Sequence, residues 1–147
     1  MEFDFGDCGY RLNGILHVSP REAYKLCRQG AILLDLRLEL LFKCKRFDVP
    51  EMVHCHSDEI EDYYHLLPTK IPIIVADAVG IHSKEVVDIL QKKGYSLVAN
   101  LVGGIHDWER DGLPIVIDND ETLTGGCMCQ LRTWSKKGDG EKRKKGI

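Results

Sequence analysis

The chain has 147 residues, of which 44% are hydrophobic and 29% are charged, and its formal net charge is −3. This length suits one hydrophobic core and is too short for two ordinary domains. The longest apolar runs, residues 31–34 and 71–76, fall far short of the roughly 20 residues that span a bilayer. The first residues also lack the pattern of a signal peptide. We therefore expect one cytoplasmic domain with no membrane segment, in which the six cysteines remain reduced.

Basic residues are concentrated at the end of the chain. Residues 135–147 contain six Lys or Arg and two acidic residues, a local net charge of +4. Because this segment contains no apolar residue before Ile147, we expect a solvated, disordered tail. Weak contact with nucleic acid or an acidic partner is the alternative, and nucleic acid is not the partner that we expect.

The first helix has a clear start signal. Ser19, Pro20 and Glu22 form the pattern of a capping box with proline at the first helical position. This predicts a helix through Gln29, ended by Gly30.

Strands and helices are then expected to alternate. Apolar runs predict strands at residues 31–36, 52–55, 71–76 and 96–101. Helices are predicted after Ser57, from Ser83 to Lys93 and from Ile105 to Arg110. This alternation is typical of βαβ units around a parallel sheet.

Short motifs occur in a fixed order along these elements: Asp35-Leu36-Arg37, Asp77-Ala78-Val79-Gly80-Ile81-His82-Ser83, Gly94-Tyr95, Gly103-Gly104-Ile105-His106-Asp107-Trp108 and Gly112-Leu113-Pro114. Their order and spacing from residue 18 to 116 resemble the rhodanese-like family. The resemblance implies an α/β three-layer sandwich with about five parallel strands flanked by helices. We expect an N-terminal extension at 1–17, the domain at 18–118, a Cys-x-Cys extension at 119–134 and the tail at 135–147.

The resemblance also identifies residues 77–83 as the equivalent of the family's active-site loop, Cys-x-x-Gly-x-Arg-Ser. Asp77 stands at the cysteine position and His82 at the arginine position. A carboxylate cannot form a persulfide, but it is an anion that the loop's N–H groups can hold, so we expect Asp77 to be ionised and bound by its own loop. Capping of the following helix is a compatible role. His82 is either a pH-sensitive substitute for arginine or simply exposed.

Asp35 and Arg37 lie at the C-terminal edge of the strand predicted at residues 31–36 and are expected to hold the loops together through polar contacts. A role in ligand binding is the alternative. Gly80 is expected to allow the sharp turn from strand to helix.

Two cysteines lie beyond the family-like region. Cys127 and Cys129 follow a Gly-Gly pair, and such a pair can carry sulfur, form a disulfide or bind a soft metal. With His54 and His56, two residues apart on a predicted strand, they could complete a zinc site. Two incidental thiols are the simpler interpretation, and no cofactor is otherwise expected.

These observations leave three functional hypotheses. The first is a rhodanese-like binding or regulatory module with a degenerate active site, whose partner is a protein or a small anion. The second is a sulfur-transfer or thiol-redox protein that uses Cys127 or Cys129. The third is a zinc-binding domain. A phosphatase is less favoured, because that chemistry also needs a loop cysteine and an arginine.

Overall fold

The computed structural model describes residues 4–117 and the strand at residues 126–127, whose side chains are not included. The strands are β1 Tyr10–Leu12, β2 Ile15–Val18, β3 Ile32–Asp35, β4 Lys45–Phe47, β5 Met52–His54, β6 Ile73–Ala76, β7 Val98–Leu101, β8 Ile115–Ile117 and β9 Gly126–Cys127. The α-helices are α1 Pro20–Arg28, α2 Glu39–Cys44, α3 Ile60–Tyr63, α4 Ser83–Lys92 and α5 Gly104–Arg110. Two 3-10 turns, Ser57–Glu59 and Tyr64–Leu66, flank α3.

Seven strands form the main sheet, in the order β1-β2-β7-β6-β3-β5-β9. The five central strands, from β2 to β5 in this order, are all parallel, which confirms the predicted parallel sheet of about five strands. At one edge β1 pairs antiparallel with β2, and at the other β9 pairs parallel with β5. A separate antiparallel pair joins β4 and β8.

Both faces of the sheet are covered, so the fold has three layers. Successive residues of a strand point to opposite faces, and Leu33 accordingly belongs to one core cluster while Leu34 belongs to the other. The first cluster includes Trp108 of α5. The second includes Leu90 of α4 and Ile60 of α3. This arrangement confirms the predicted α/β sandwich and explains why the central strands are apolar without alternation.

The predicted start of α1 is confirmed in detail. The Ser19 hydroxyl accepts the Glu22 N–H at 3.2 Å, and the Glu22 carboxylate accepts the Ser19 N–H at 3.0 Å. Gly30 follows the helix with φ of 120°, a conformation that favours glycine.

Several elements were not predicted from the sequence. Apart from Val18, the β1–β2 hairpin lies in the segment expected to be an N-terminal extension, and it adds an antiparallel strand to the sheet. The short α2, β4 and β8 were also missed, and the helix predicted after Ser57 is divided into α3 and its two flanking turns. None of the described helices is both long and apolar enough to cross a membrane.

Candidate functional site

The candidate site lies where β3 and β6 end. These strands are parallel neighbours, and the Leu36 N–H donates to the Ala76 carbonyl at 2.9 Å. The carboxyl ends of both strands therefore meet at one edge of the sheet, the usual position of ligand sites in open α/β folds. The segment after β6 forms the loop 77–82, which leads directly into α4.

Asp77 is held by the backbone of its own loop. Its side chain is 5% exposed, and its Oδ1 accepts the Gly80 N–H. Its Oδ2 accepts the His82 N–H at 2.7 Å and the Ser83 N–H at 3.2 Å. Ser83 is the first residue of α4, so the carboxylate both fills the loop and caps the helix. The predicted contacts of Asp77 are confirmed.

Close packing of glycines gives the loop its shape. Gly80 has φ of 91°, and a Cβ atom there would lie 2.8 Å from the Gly103 backbone nitrogen. At Gly104 a Cβ atom would collide with the Asp77 carbonyl oxygen. Without that atom, α5 approaches closely enough for the Ile105 N–H to donate to the same carbonyl at 2.9 Å. Gly103 and Gly104, at the start of α5, therefore hold the loop in place by packing against its backbone.

Asp35 and Arg37 form a buried ion pair beside this loop. The Arg37 Nη2 lies 2.8 Å from Asp35 Oδ2, with the two side chains 6% and 0% exposed. Arg37 also donates to the Lys45 carbonyl, and its own carbonyl lies 2.6 Å from His54 Nε2. The pair thus joins the ends of β3 and β5 to the start of β4 through polar contacts.

The other loop side chains face solvent. Val79 is 51% and Ile81 is 61% exposed, and Ala78 is also exposed. The His82 side chain is exposed as well and makes no capping hydrogen bond. His82 therefore contributes to the cradle of Asp77 through its backbone N–H.

A buried polar chain behind the loop was missed at the sequence level. Asn100 Nδ2 lies 3.0 Å from His17 Nδ1, and the Ser83 hydroxyl donates to Asn100 Oδ1. All three residues are buried. The available signal was a polar residue within each of two otherwise apolar strands, β2 and β7.

The zinc hypothesis placed His54 and His56 on one strand, but β5 ends at His54. The His54 Nε2 faces a backbone carbonyl, and His56 Nδ1 accepts the Asp58 N–H at 3.2 Å. Across the described part of the chain, no three His, Cys, Asp or Glu side chains are arranged to hold a metal. The side chain of Cys127 and all of Cys129 lie outside the described residues.

Known proteins match this architecture. Residues 19–111 fit the profile of the rhodanese-like domain. A thiosulfate sulfurtransferase GlpE from Haemophilus influenzae is 31% identical over 99 residues, covering 67% of this chain and 91% of that protein. The GlpE protein of Pseudomonas savastanoi is 30% identical over 108 residues, covering 74% and 94% of the two chains.

Solved structures show the same fold. The polysulfide-sulfur transferase homodimer from Wolinella succinogenes matches with a TM-score of 0.64 and 23% identity, over 74% of this chain and 83% of that chain. A rhodanese-related protein from Thermoplasma volcanium matches with a TM-score of 0.63 and 20% identity, over 69% and 98%. The chain therefore belongs to the rhodanese-like domain family and is related to sulfurtransferases.

Proposed function

We propose that this chain is a rhodanese-like binding module whose loop holds its own carboxylate in place of a reactive sulfur. The observation that carries the proposal is the set of three backbone N–H groups around Asp77. Inward N–H groups at the start of a helix stabilise an anion. A thiolate in the same position would be activated, whereas a carboxylate simply satisfies the donors.

Chemistry explains why this replacement removes sulfur transfer from the loop. The reaction needs a nucleophile that attacks the outer sulfur of a donor and then carries it as a persulfide. Carboxylate oxygen is a poor nucleophile for this step and cannot store the transferred sulfur. The loop N–H groups already bind the Asp77 carboxylate. A small anion could bind them only by displacing this carboxylate, which is part of the same loop.

The loop's exposed face supports a protein as the ligand. Val79 and Ile81 project from the loop at 51% and 61% exposure, and Leu38, Leu40 and Leu41 are 47–63% exposed after the neighbouring β3. Both segments begin at the carboxyl edge of the sheet, because β3 and β6 are parallel neighbours, and exposed large apolar side chains are typical of protein contact sites. The partner that we propose is therefore a protein with an apolar contact surface that meets the carboxyl edge of the sheet.

An assay of sulfur transfer from thiosulfate to cyanide tests whether the loop lacks sulfurtransferase activity. We expect thiocyanate formation at background for the wild type and for the Cys127→Ser, Cys129→Ser double variant. Turnover that persists in the double variant would refute the proposal, because it would require a reactive group elsewhere in the domain.

Sulfur transfer by Cys127 or Cys129 is the second candidate. It is favoured by β9, in which Cys127 is in register with His54, the last residue of β5. The chain therefore reaches the same edge of the sheet as the Asp77 loop. β9 is three strand spacings from β6, or about 14 Å, so the following residues would have to cross that distance. Activity in the wild type that the double variant abolishes would favour this candidate.

A further inference from the structure

The polar chain behind the loop connects a histidine to the cradle of Asp77. His17 is 6%, Asn100 2% and Ser83 0% exposed. His17 contacts Asn100, Asn100 contacts the Ser83 hydroxyl, and the Ser83 N–H donates to Asp77. Four residues from β2, β7, the start of α4 and the loop thus form one continuous series of hydrogen bonds.

The direction of these bonds defines the form of His17. Because Asn100 Oδ1 accepts the Ser83 hydroxyl, its amide nitrogen faces His17. An amide nitrogen only donates, so His17 Nδ1 must accept and therefore carries no proton. In the neutral ring the proton is then on Nε2. This series of hydrogen bonds therefore requires the neutral form of His17.

We propose that neutral His17 is a positioning residue, which orients Asn100 and through it Ser83 and the loop that holds Asp77. A proton on Nδ1 would place two donors face to face, His17 and the Asn100 amide. Rotation of the amide would relieve this contact, but the Ser83 hydroxyl would then accept from the Asn100 amide and lose its own acceptor. Protonation of His17 therefore changes the hydrogen bonding of Ser83, the first residue of α4. His17 thereby positions the same loop on which the proposed function rests. The series of hydrogen bonds from His17 to Asp77 does not itself depend on sulfur chemistry.

The surroundings of His17 favour the neutral form. Burial lowers the pKa of His17 below its ordinary value of 6.5, and the charge of Lys84 on α4 lowers it further. The backbone of Leu12 acts in the opposite direction. From β1 the Tyr10 ring stacks on the imidazole with a centroid distance of 5.2 Å, and from β7 the neighbour is the uncharged Asn100. No acidic group is among the causes of the shift.

Nuclear magnetic resonance of the full chain between pH 8 and pH 5 tests this proposal. A His82→Gln background leaves no histidine side chain within the loop itself. We expect the backbone amide signals of Gly80 and Ser83 to shift with the same midpoint as the His17 ring, below pH 6.5. Amide signals that do not follow the His17 ring would overturn the proposal.

Two variants separate positioning from a general structural effect. In His17→Gln the side-chain oxygen can still accept from Asn100 but cannot titrate, so both loop amides should keep their high-pH positions throughout. In Asn100→Asp the carboxylate accepts from both neighbours, and the midpoint of His17 should rise by about one pH unit. An unchanged loop transition in the first variant or an unchanged midpoint in the second would contradict the proposal.

These measurements are independent of the sulfurtransferase assay. Absence of the loop transition would overturn the role of His17 and leave the absence of loop sulfur chemistry intact. Conversely, sulfur transfer by the double cysteine variant would refute the proposed function without affecting the coupling between His17 and Ser83.

Discussion

Replacement of Asp77 by asparagine should destabilise the domain although the two side chains have nearly the same shape. Asp77 offers one oxygen to Gly80 and the other to His82 and Ser83. Asparagine has one oxygen, and its least unfavourable orientation keeps the two bonds at the start of α4. Its amide nitrogen then faces the Gly80 N–H, so that donor loses its acceptor.

The expected loss follows from these contacts. One buried N–H without a partner costs about 1–3 kcal/mol. The two remaining bonds lose their charge assistance, which adds about 1 kcal/mol. We therefore expect the free energy of unfolding to fall by about 2–4 kcal/mol, which corresponds to a decrease of roughly 1–2 M in the urea midpoint at an ordinary slope.

Urea unfolding followed by circular dichroism measures this difference, and Asp88→Asn provides the matched control. Asp88 lies on α4 and pairs with Lys92 at 3.0 Å, but the two side chains are 52% and 75% exposed. Its replacement should change stability by less than about 0.5 kcal/mol. If Asp77→Asn were as stable as this control, the three N–H groups would not form the stabilising cradle that we describe.

Three further predictions concern buried groups. Arg37→Met should lower the free energy of unfolding by about 3–5 kcal/mol, because it leaves Asp35 buried without its ionic partner. Lys45→Met removes a member of an exposed pair and should lower it by less than about 1 kcal/mol. Equal urea midpoints for the two variants would contradict this. Burial raises the pKa of the Cys27 thiol to about 12, so Cys27 should resist iodoacetamide in the native protein, whereas the exposed Cys44 should react. Mass spectrometry of the digested protein measures both reactions, and faster modification of Cys27 than of Cys44 would contradict this prediction. Folding lowers the pKa of His17, so the unfolded chain binds this proton more readily than the folded one. The stability that neutral His17 contributes is therefore complete above about pH 6.5 and is lost as the pH falls towards the folded pKa. Between pH 8 and pH 5 the urea midpoint should decline less in His17→Gln than in the wild type.

The sequence was most informative where local patterns are sufficient to define an element. The capping box at Ser19 and Glu22 satisfies N–H groups within one turn of helix, and it was predictable for that reason. The apolar run that contains β6 is buried on both faces, so its composition alone indicated a central parallel strand. The contacts of Asp77 also followed, because they are formed within its own loop.

Elements that depend on distant partners could not be predicted in the same way. β4 is a strand because it pairs with β8, about seventy residues later in the chain. β1 is exposed along its whole length and offers little apolar periodicity. The contact between His17 and Asn100 spans 83 positions and exists only because β2 and β7 are neighbours in the sheet. The sequence analysis singled out neither residue, because a polar residue in a short strand gives no sign of its partner on another strand.

Asp77→Cys, made in a Cys127→Ser, Cys129→Ser background, tests whether residues 77–83 form an anion cradle. Three N–H donors should lower the pKa of the new thiol from about 8.5 towards 6.5, which raises the thiolate fraction at pH 7 roughly 25-fold. Ala78→Cys, at the exposed neighbouring position, is the matched control with Asp77 retained. Its thiol should titrate at an ordinary value.

Mass spectrometry after treatment with thiosulfate gives the most direct result. Trypsin releases both variant positions in the peptide from Ile71 to Lys84, which contains no native cysteine. We predict that this peptide gains one sulfur atom in Asp77→Cys and none in Ala78→Cys. If the Asp77→Cys peptide gains no sulfur and its thiol titrates like that of the control, residues 77–83 do not form an anion cradle.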